Sequence, residues 1–269
     1  MKNWPSWIGY IAIGAIIAIA YWMFYRPEPL PPGHIAVPPP VSGPQAEPAI
    51  QHPITTDPGE LKAAEPAIDL EQPLPTLKQS DTPMAEILAR LFADQKLDRF
   101  FILEHFIERF VAMVDNLSNP QLPTASRPVK QTPGRFLASG ERGNLTIDLA
   151  NYKRYTPLVK MLAALDTQQV IAVYKHFYPL FQEAYAKLGY PDAYFNDRLV
   201  EVIDHLLTTP PVLGPVYLVQ PKALYLYADP ALEELSAGRK ILLRCGPENA
   251  AQIKAMLHKY RRALTADNG

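Results

Sequence analysis

Cysteine is almost missing from this chain. One thiol, Cys245, in 269 residues excludes an internal disulfide, a CxxC redox pair and a zinc site built on several thiolates. A charge imbalance is missing too: 26 Lys+Arg stand against 27 Asp+Glu, which gives no footing for a nucleic-acid binder or a polyanionic protein. The familiar catalytic fingerprints are also lacking, with no G-x-S-x-G, no P-loop and no G-x-G-x-x-G. Six scattered histidines make no HExxH pair, and Glu104-His105 with Glu108 are ligand types in the wrong order. No resident metal or cofactor is therefore expected.

Charge itself is absent from Asn3 to Tyr25. Trp7–Tyr25 is an apolar run of 19 residues, close to what a hydrocarbon core of ~30 Å needs at ~1.5 Å per residue. Trp4 and Trp7 at one end, and Tyr21, Trp22 and Tyr25 at the other, match interfacial aromatic belts. Residues 1–25 are thus expected to be a single-span transmembrane anchor. Ala18-Ile-Ala20 is a passable signal-peptide cleavage site, but the apolar run continues through Tyr25, which favours an uncleaved anchor. Lys2 precedes the run and Arg26 alone follows it before acids begin. The positive-inside rule then puts the N-terminus in the cytoplasm and the rest across the membrane.

Aromatic residues are what residues 26–75 lack. This stretch holds 14 of the 29 prolines, seven acids and two bases, with no Phe, Tyr or Trp. Such a composition cannot bury enough apolar surface to offset its conformational entropy, so a disordered linker with polyproline II character is expected. Its use is that of a spacer, able to stretch toward roughly 150 Å at ~3.1 Å per residue. A role for its prolines as an SH3-type ligand is the lesser reading. Removing this acidic stretch leaves the remainder mildly basic.

Residues 76–265 are long enough for one core, with 266–269 as a tail. Asp81-Thr-Pro83 ahead of an apolar pattern predicts a capped helix through Phe92. Ile102, Phe106, Phe110, Met113 and Leu117 predict a second over 101–117. Four prolines in 118–135 mark a long loop, and Arg135–Asp148 reads as a hairpin turning near Gly140–Gly143. Two helices follow; Asp166 caps the second, 167–188, whose wide apolar arc makes it central. A helix over 195–208, a hairpin from Val216–Val219 to Ala223–Tyr227, and helices near 230–244 and 247–264 complete the pattern. The fold class is mainly α: a helical globular domain with one or two short β-hairpins, behind an N-terminal transmembrane helix and a Pro-rich linker.

Candidate chemistry is thin. Asp197, Glu201 and Asp204 share a helix face, and paired carboxylates suit acid–base work. The face also carries Arg198 and His205, so a solvated, ion-paired surface accounts for it better. Asp197, Asp204, His205 and Glu233 remain the catalytic candidates of a hydrolase or transferase reading. Tyrosines interleave with arginines through the domain. Arg154, Tyr155, Tyr178, Tyr185, Arg198, Asp229 and Arg244 are candidates for a polar groove that takes peptide or glycan, against the plainer account that each ring packs and finds one hydrogen bond. Cys245 reads as a small core hydrophobe, and the basic residues of the last helix as charge suited to its C-terminus.

Several stretches carry a family resemblance: Asn151–Leu158, Tyr178–Tyr185, Leu188–Pro191, Phe195–Leu199, Val202–Leu207, Tyr227–Glu233, Ser236–Lys240 and Arg244–Asn249. Together they resemble the domain-of-unknown-function 3014 family of proteobacteria, over about 76–262. The chain departs from that pattern at Arg239-Lys240, where Gln-Lys is expected, and at Cys245, where Met is. The resemblance implies a membrane segment and Pro-rich linker at the Gram-negative inner membrane, with the domain in the periplasm. It brings no activity with it. The expectation is a membrane-anchored module that binds an envelope protein or cell-wall component, with an envelope hydrolase or transferase as the alternative.

Overall fold

The structure, a computed structural model, describes residues 50–55, 73–93, 97–141, 143–212 and 214–266, all within one compact unit, Ala46–Gly269. The anchor expected at 1–25 lies outside the described residues, as does most of the stretch read as a linker. Among the described residues no helix is long and apolar enough to cross a membrane. They form a mainly helical domain with eight α-helices and one small antiparallel sheet of four strands.

Helix α1 is Asp81–Leu91. Asp81 does not cap it as expected. Its carboxylate accepts hydrogen bonds from the backbone N–H of His105 at 2.9 Å and Phe106 at 3.4 Å, closing the start of α2, Phe106–Asn116. The first turn expected for α2 is absent. Phe101 bridges Val129 and the Ile102 N–H donates to Pro128 O, while His105 turns the chain with φ of 51°. The buried stripe is accordingly Phe106, Ile107, Val111 and Val114.

The first of the two helices expected after the hairpin is α3 (Ala150–Ala163), while α4 (Thr167–Lys187) and α5 (Phe195–Leu207) fall where the periodicity puts them. Asp166 caps α4 by accepting from Gln169 N–H at 2.9 Å. Tyr174, Phe177, Phe181 and Ala184 are buried along α4, with Tyr178 and Tyr185 beside them. This helix packs against α2, α5 and the last helix, which makes it the axis of the main core. Three helices follow the sheet: the short α6 (Pro230–Glu233) and α7 (Ala237–Cys245), and the long α8 (Pro247–Thr265).

Both hairpins form and then join. Strands β1 (Ala138–Ser139), β2 (Leu145–Ile147), β3 (Tyr217–Val219) and β4 (Leu226–Tyr227) follow one another across the sheet. The join is β2 on β3, with Leu145 opposite Leu218 and Thr146 opposite Tyr217. The inner face of the sheet makes a second, smaller core of Ile147, Val216, Leu218, Tyr227 and Leu243.

Three buried asparagines fasten these parts together. Asn151 exchanges hydrogen bonds with the Leu137 backbone and so pins the first hairpin to α3. Asn249 Nδ2 lies 2.9 Å from Tyr152 O and 2.8 Å from Cys245 O, tying α8 to α3 and α7. Asn196 accepts from the Tyr174 hydroxyl at 3.2 Å and donates to His52 O at 2.9 Å. That last bond belongs to residues 50–55, part of the stretch read as a linker. The Asp197 carboxylate there accepts from the N–H groups of Gln51 and His52, and the Tyr194 hydroxyl from Ile54 N–H. This piece lies on the start of α5 with Ile54 against the main core.

Candidate functional site

A cleft of about 800 Å³ opens between the first hairpin, the 209–216 loop and the junction of α7 with α8. Its floor is built at Gly246, which ends α7 and starts α8 with φ of 84°. That left-handed geometry suits glycine. A Cβ here would also stand 2.4 Å from the Tyr152 ring, so the bare backbone lets Tyr152 lie flat on the junction. Pro247 then opens α8, where a missing N–H costs nothing. Pro247, Ala250, Ala251 and Lys254 all face the cleft, at the spacing of one helical stripe.

The opposite wall is the 209–216 loop, with Pro210, Pro211, Val212 and Pro215. Leu242 and Leu243 close the inner end. Leu149, 70% exposed, stands at the mouth. Polar groups are few and mostly engaged. Lys254 Nζ donates to Thr209 O at 2.6 Å. The Asp148 carboxylate takes the Ser139 hydroxyl and, at 2.7 Å, the Ala150 N–H. Those two donors, the hydroxyl first, hold its pKa below the ordinary carboxylate value, so the group is a solvent-facing anion with both oxygens partnered. Burial raises the pKa of Tyr152, which keeps its hydroxyl neutral.

None of the catalytic or groove candidates lines this cleft, although Lys254, one of the basic residues of the last helix, does. The carboxylates of the α5 face separate. Asp197 holds the 51–52 backbone, Glu201 pairs with Arg198, and Asp204 pairs with Arg261 beside a shallow surface depression. His205 Nε2 lies 2.8 Å from Ser236 Oγ, a distance that would suit a nucleophile and its base. Ser236, however, is 8% exposed, and its oxygen accepts the N–H of Arg239 as the cap of α7. Glu233 accepts from Lys240 at 3.0 Å and from Tyr227 N–H at 2.9 Å.

The tyrosine–arginine candidates also divide. The Arg154 guanidinium gathers the carbonyls of Thr132, Pro133, Gly134 and Arg135, clamping the long loop. Tyr155 sits beside it; burial raises its pKa, with Cys245 adding to the rise and Arg154 and Arg244 opposing it. Arg244 lies over the Tyr227 ring at 5.9 Å, a cation–π arrangement. Arg198 belongs to another group, with Asp115 at 3.0 Å and the Ser118 hydroxyl at 2.8 Å. Tyr185 stacks on Tyr190 near that group, and burial, joined by Asp115, pushes its pKa up to about 12. The Tyr178 hydroxyl meets Gln182 at 3.0 Å, and burial raises its pKa strongly. Asp229 caps α6 through Ala231 N–H. Arg154, Arg198, Asp204, Asp229 and Arg244 thus do not converge on one pocket, and most of them fasten chain segments together. Among the described residues no group of three or more His, Cys, Asp or Glu is placed to hold a metal ion.

The cleft-forming residues were missed from the sequence, where their one signal is proline and glycine punctuation at Pro210-Pro211, Gly214-Pro215 and Gly246-Pro247. Those signals read as turns and helix ends; that two of them face each other is a property of the fold. The class defined here is therefore a mainly helical domain with an apolar cleft beside a small sheet. A family model described as "Protein of unknown function (DUF3014)" matches residues 106–261, from α2 through most of α8 and so across the cleft. The chain belongs to that family. No curated protein and no solved structure matches it.

Proposed function

We propose that this protein is a membrane-anchored binding module of the cell envelope, and that its ligand enters the cleft between the 209–216 loop and α8. The observation that carries the reading is the cleft itself, about 800 Å³ of largely aliphatic and proline surface with a few polar groups at its edge. Pockets of roughly 300–1,000 Å³ with that make-up are where proteins take small ligands. Catalysis has less support, because Asp197, Asp204, His205 and Glu233 each meet a separate structural partner.

The uncharged run Trp7–Tyr25 supports the anchoring part of the reading, and Lys2 ahead of it supports a cytoplasmic N-terminus with the domain in the periplasm. The family resemblance supports the inner membrane as its address. Two measurements test the proposal. A reporter fused after Thr265 should be active outside the cytoplasm, and activity inside it overturns the topology. Native mass spectrometry of the full chain taken from its own membranes should show a bound ligand that Ala251→Trp removes. A ligand retained unchanged in the variant, or none in either protein, overturns the cleft.

A further inference from the structure

The walls of the cleft say which kind of ligand it suits. One wall carries Pro210, Pro211 and Pro215, and proline has no N–H to donate. On the sheet side, Ile147 N–H is already given to Val216 O. An extended peptide laid in the cleft would find few donors for its carbonyls along the proline wall, and unpaired backbone groups are costly. A glycan fares no better. It needs several polar partners, whereas the lining is mostly proline and aliphatic surface, and Gly246 packs against the Tyr152 ring. A hydrocarbon chain makes no such demands and is favoured in proportion to the apolar area it buries.

One end of the cleft is charged. Lys254 follows Ala250 and Ala251 on the lining stripe; among the described residues its Nζ donates to Thr209 O, and an ammonium has three donors to give. Asp148 stays an anion on the first-hairpin side of the cleft, its two oxygens each accepting one hydrogen bond, so an anionic headgroup is placed at Lys254 and not there.

We infer that the cleft binds a single-chain amphiphile, an acyl chain along the proline and alanine walls with its anionic headgroup at Lys254. The inference rests on the cleft being the binding site. A fatty acid carboxylate and a lysophospholipid phosphate present the same chemistry.

The test uses the full chain in lipid nanodiscs and a diazirine analogue of palmitic acid. Photolabelling should fall on peptides spanning 209–216 and 247–254, and Ala251→Trp, which fills the cleft from an exposed position, should cut it at least tenfold. Palmitate, a lysophosphatidylglycerol and neutral hexadecanol then compete for labelling. Whichever anionic competitor is the better names the headgroup. Counted against its free aqueous concentration, each methylene added to the fatty acid should strengthen competition about fourfold. Lys254→Gln should weaken the anionic competitors about tenfold and leave hexadecanol unchanged. Melting temperatures equal to the parent's confirm that both variants fold. Labelling that is diffuse, or unaffected by Ala251→Trp, overturns the inference. If labelling fails while Ala251→Trp still removes a native ligand mass, the acyl assignment falls and the cleft stands. If neither responds, both fall.

Discussion

Cys245 is 4% exposed, and burial pushes its pKa up to about 12. A thiolate is what reacts, so this thiol should ignore alkylating reagents at pH 8 while the domain is folded. Mixing with a disulfide reagent should give a single slow phase at the rate of opening; a fast stoichiometric phase would show an accessible nucleophile. The histidines make a second residue-scale prediction. Burial lowers the pKa of His176, and burial with Arg239 lowers that of His205; Ser236, Arg198 and Glu201 also face His205, Glu201 favouring the charged form. The unfolded chain, with histidines near about 6.5, binds these protons more readily than the folded one. Stability is therefore fully present above that value and should fall as pH drops through it. His176→Gln with His205→Gln should flatten the melting-temperature profile between pH 7 and 5, and an unchanged slope would assign the loss to other groups.

At the scale of elements, α4 and α5 were legible because each writes its own pattern: an apolar period near 3.6 and, for α4, Asp166 at the cap. What was not legible depends on residues far apart in the chain. Asp81 looks like a local cap, yet its partners are His105 and Phe106. The two hairpins are local, but their union through β2 and β3 joins strands of three residues each across some seventy positions, and no periodicity survives in strands so short. The cleft inherits that blindness, since its walls come from the 209–216 loop and α8. The α7–α8 junction offers a direct check. Gly246→Ala forces a Cβ onto the Tyr152 ring at a backbone angle of φ 84°, and should cost roughly 3 kcal/mol. Tyr152→Ala removes the clash but not the backbone strain, so the double variant should recover part of the loss. Full additivity in denaturant melts would show that ring and junction do not touch.

For the molecule as a whole, residues 50–55 change what the proline-rich stretch does. Read from sequence, residues 26–75 are a free spacer of roughly 150 Å when extended. With the backbone of Gln51, His52 and Ile54 held by Asp197 and Tyr194, on the membrane-anchored reading only residues 26–49 remain as tether. At ~3.1 Å per residue that is roughly 75 Å fully stretched, and near ~27 Å as a flexible coil. The domain would then work close to the bilayer rather than well clear of it, which suits a cleft that takes its ligand from lipid. Three of the bonds that set this distance rest on two side chains, Asp197 and Tyr194. Tyr194→Phe removes one hydroxyl acceptor, and Asp197→Asn removes the charge that strengthens the other two bonds. In hydrogen exchange of the full chain, the Gln51, His52 and Ile54 amides should be protected in the parent and should approach the unprotected rate in the double variant. The amides of Val202 and Ile203 on α5 should keep theirs. Equal exchange at 51–54 in both proteins would return the segment to the free spacer, and loss of protection throughout α5 would make these residues part of the core rather than a clasp upon it.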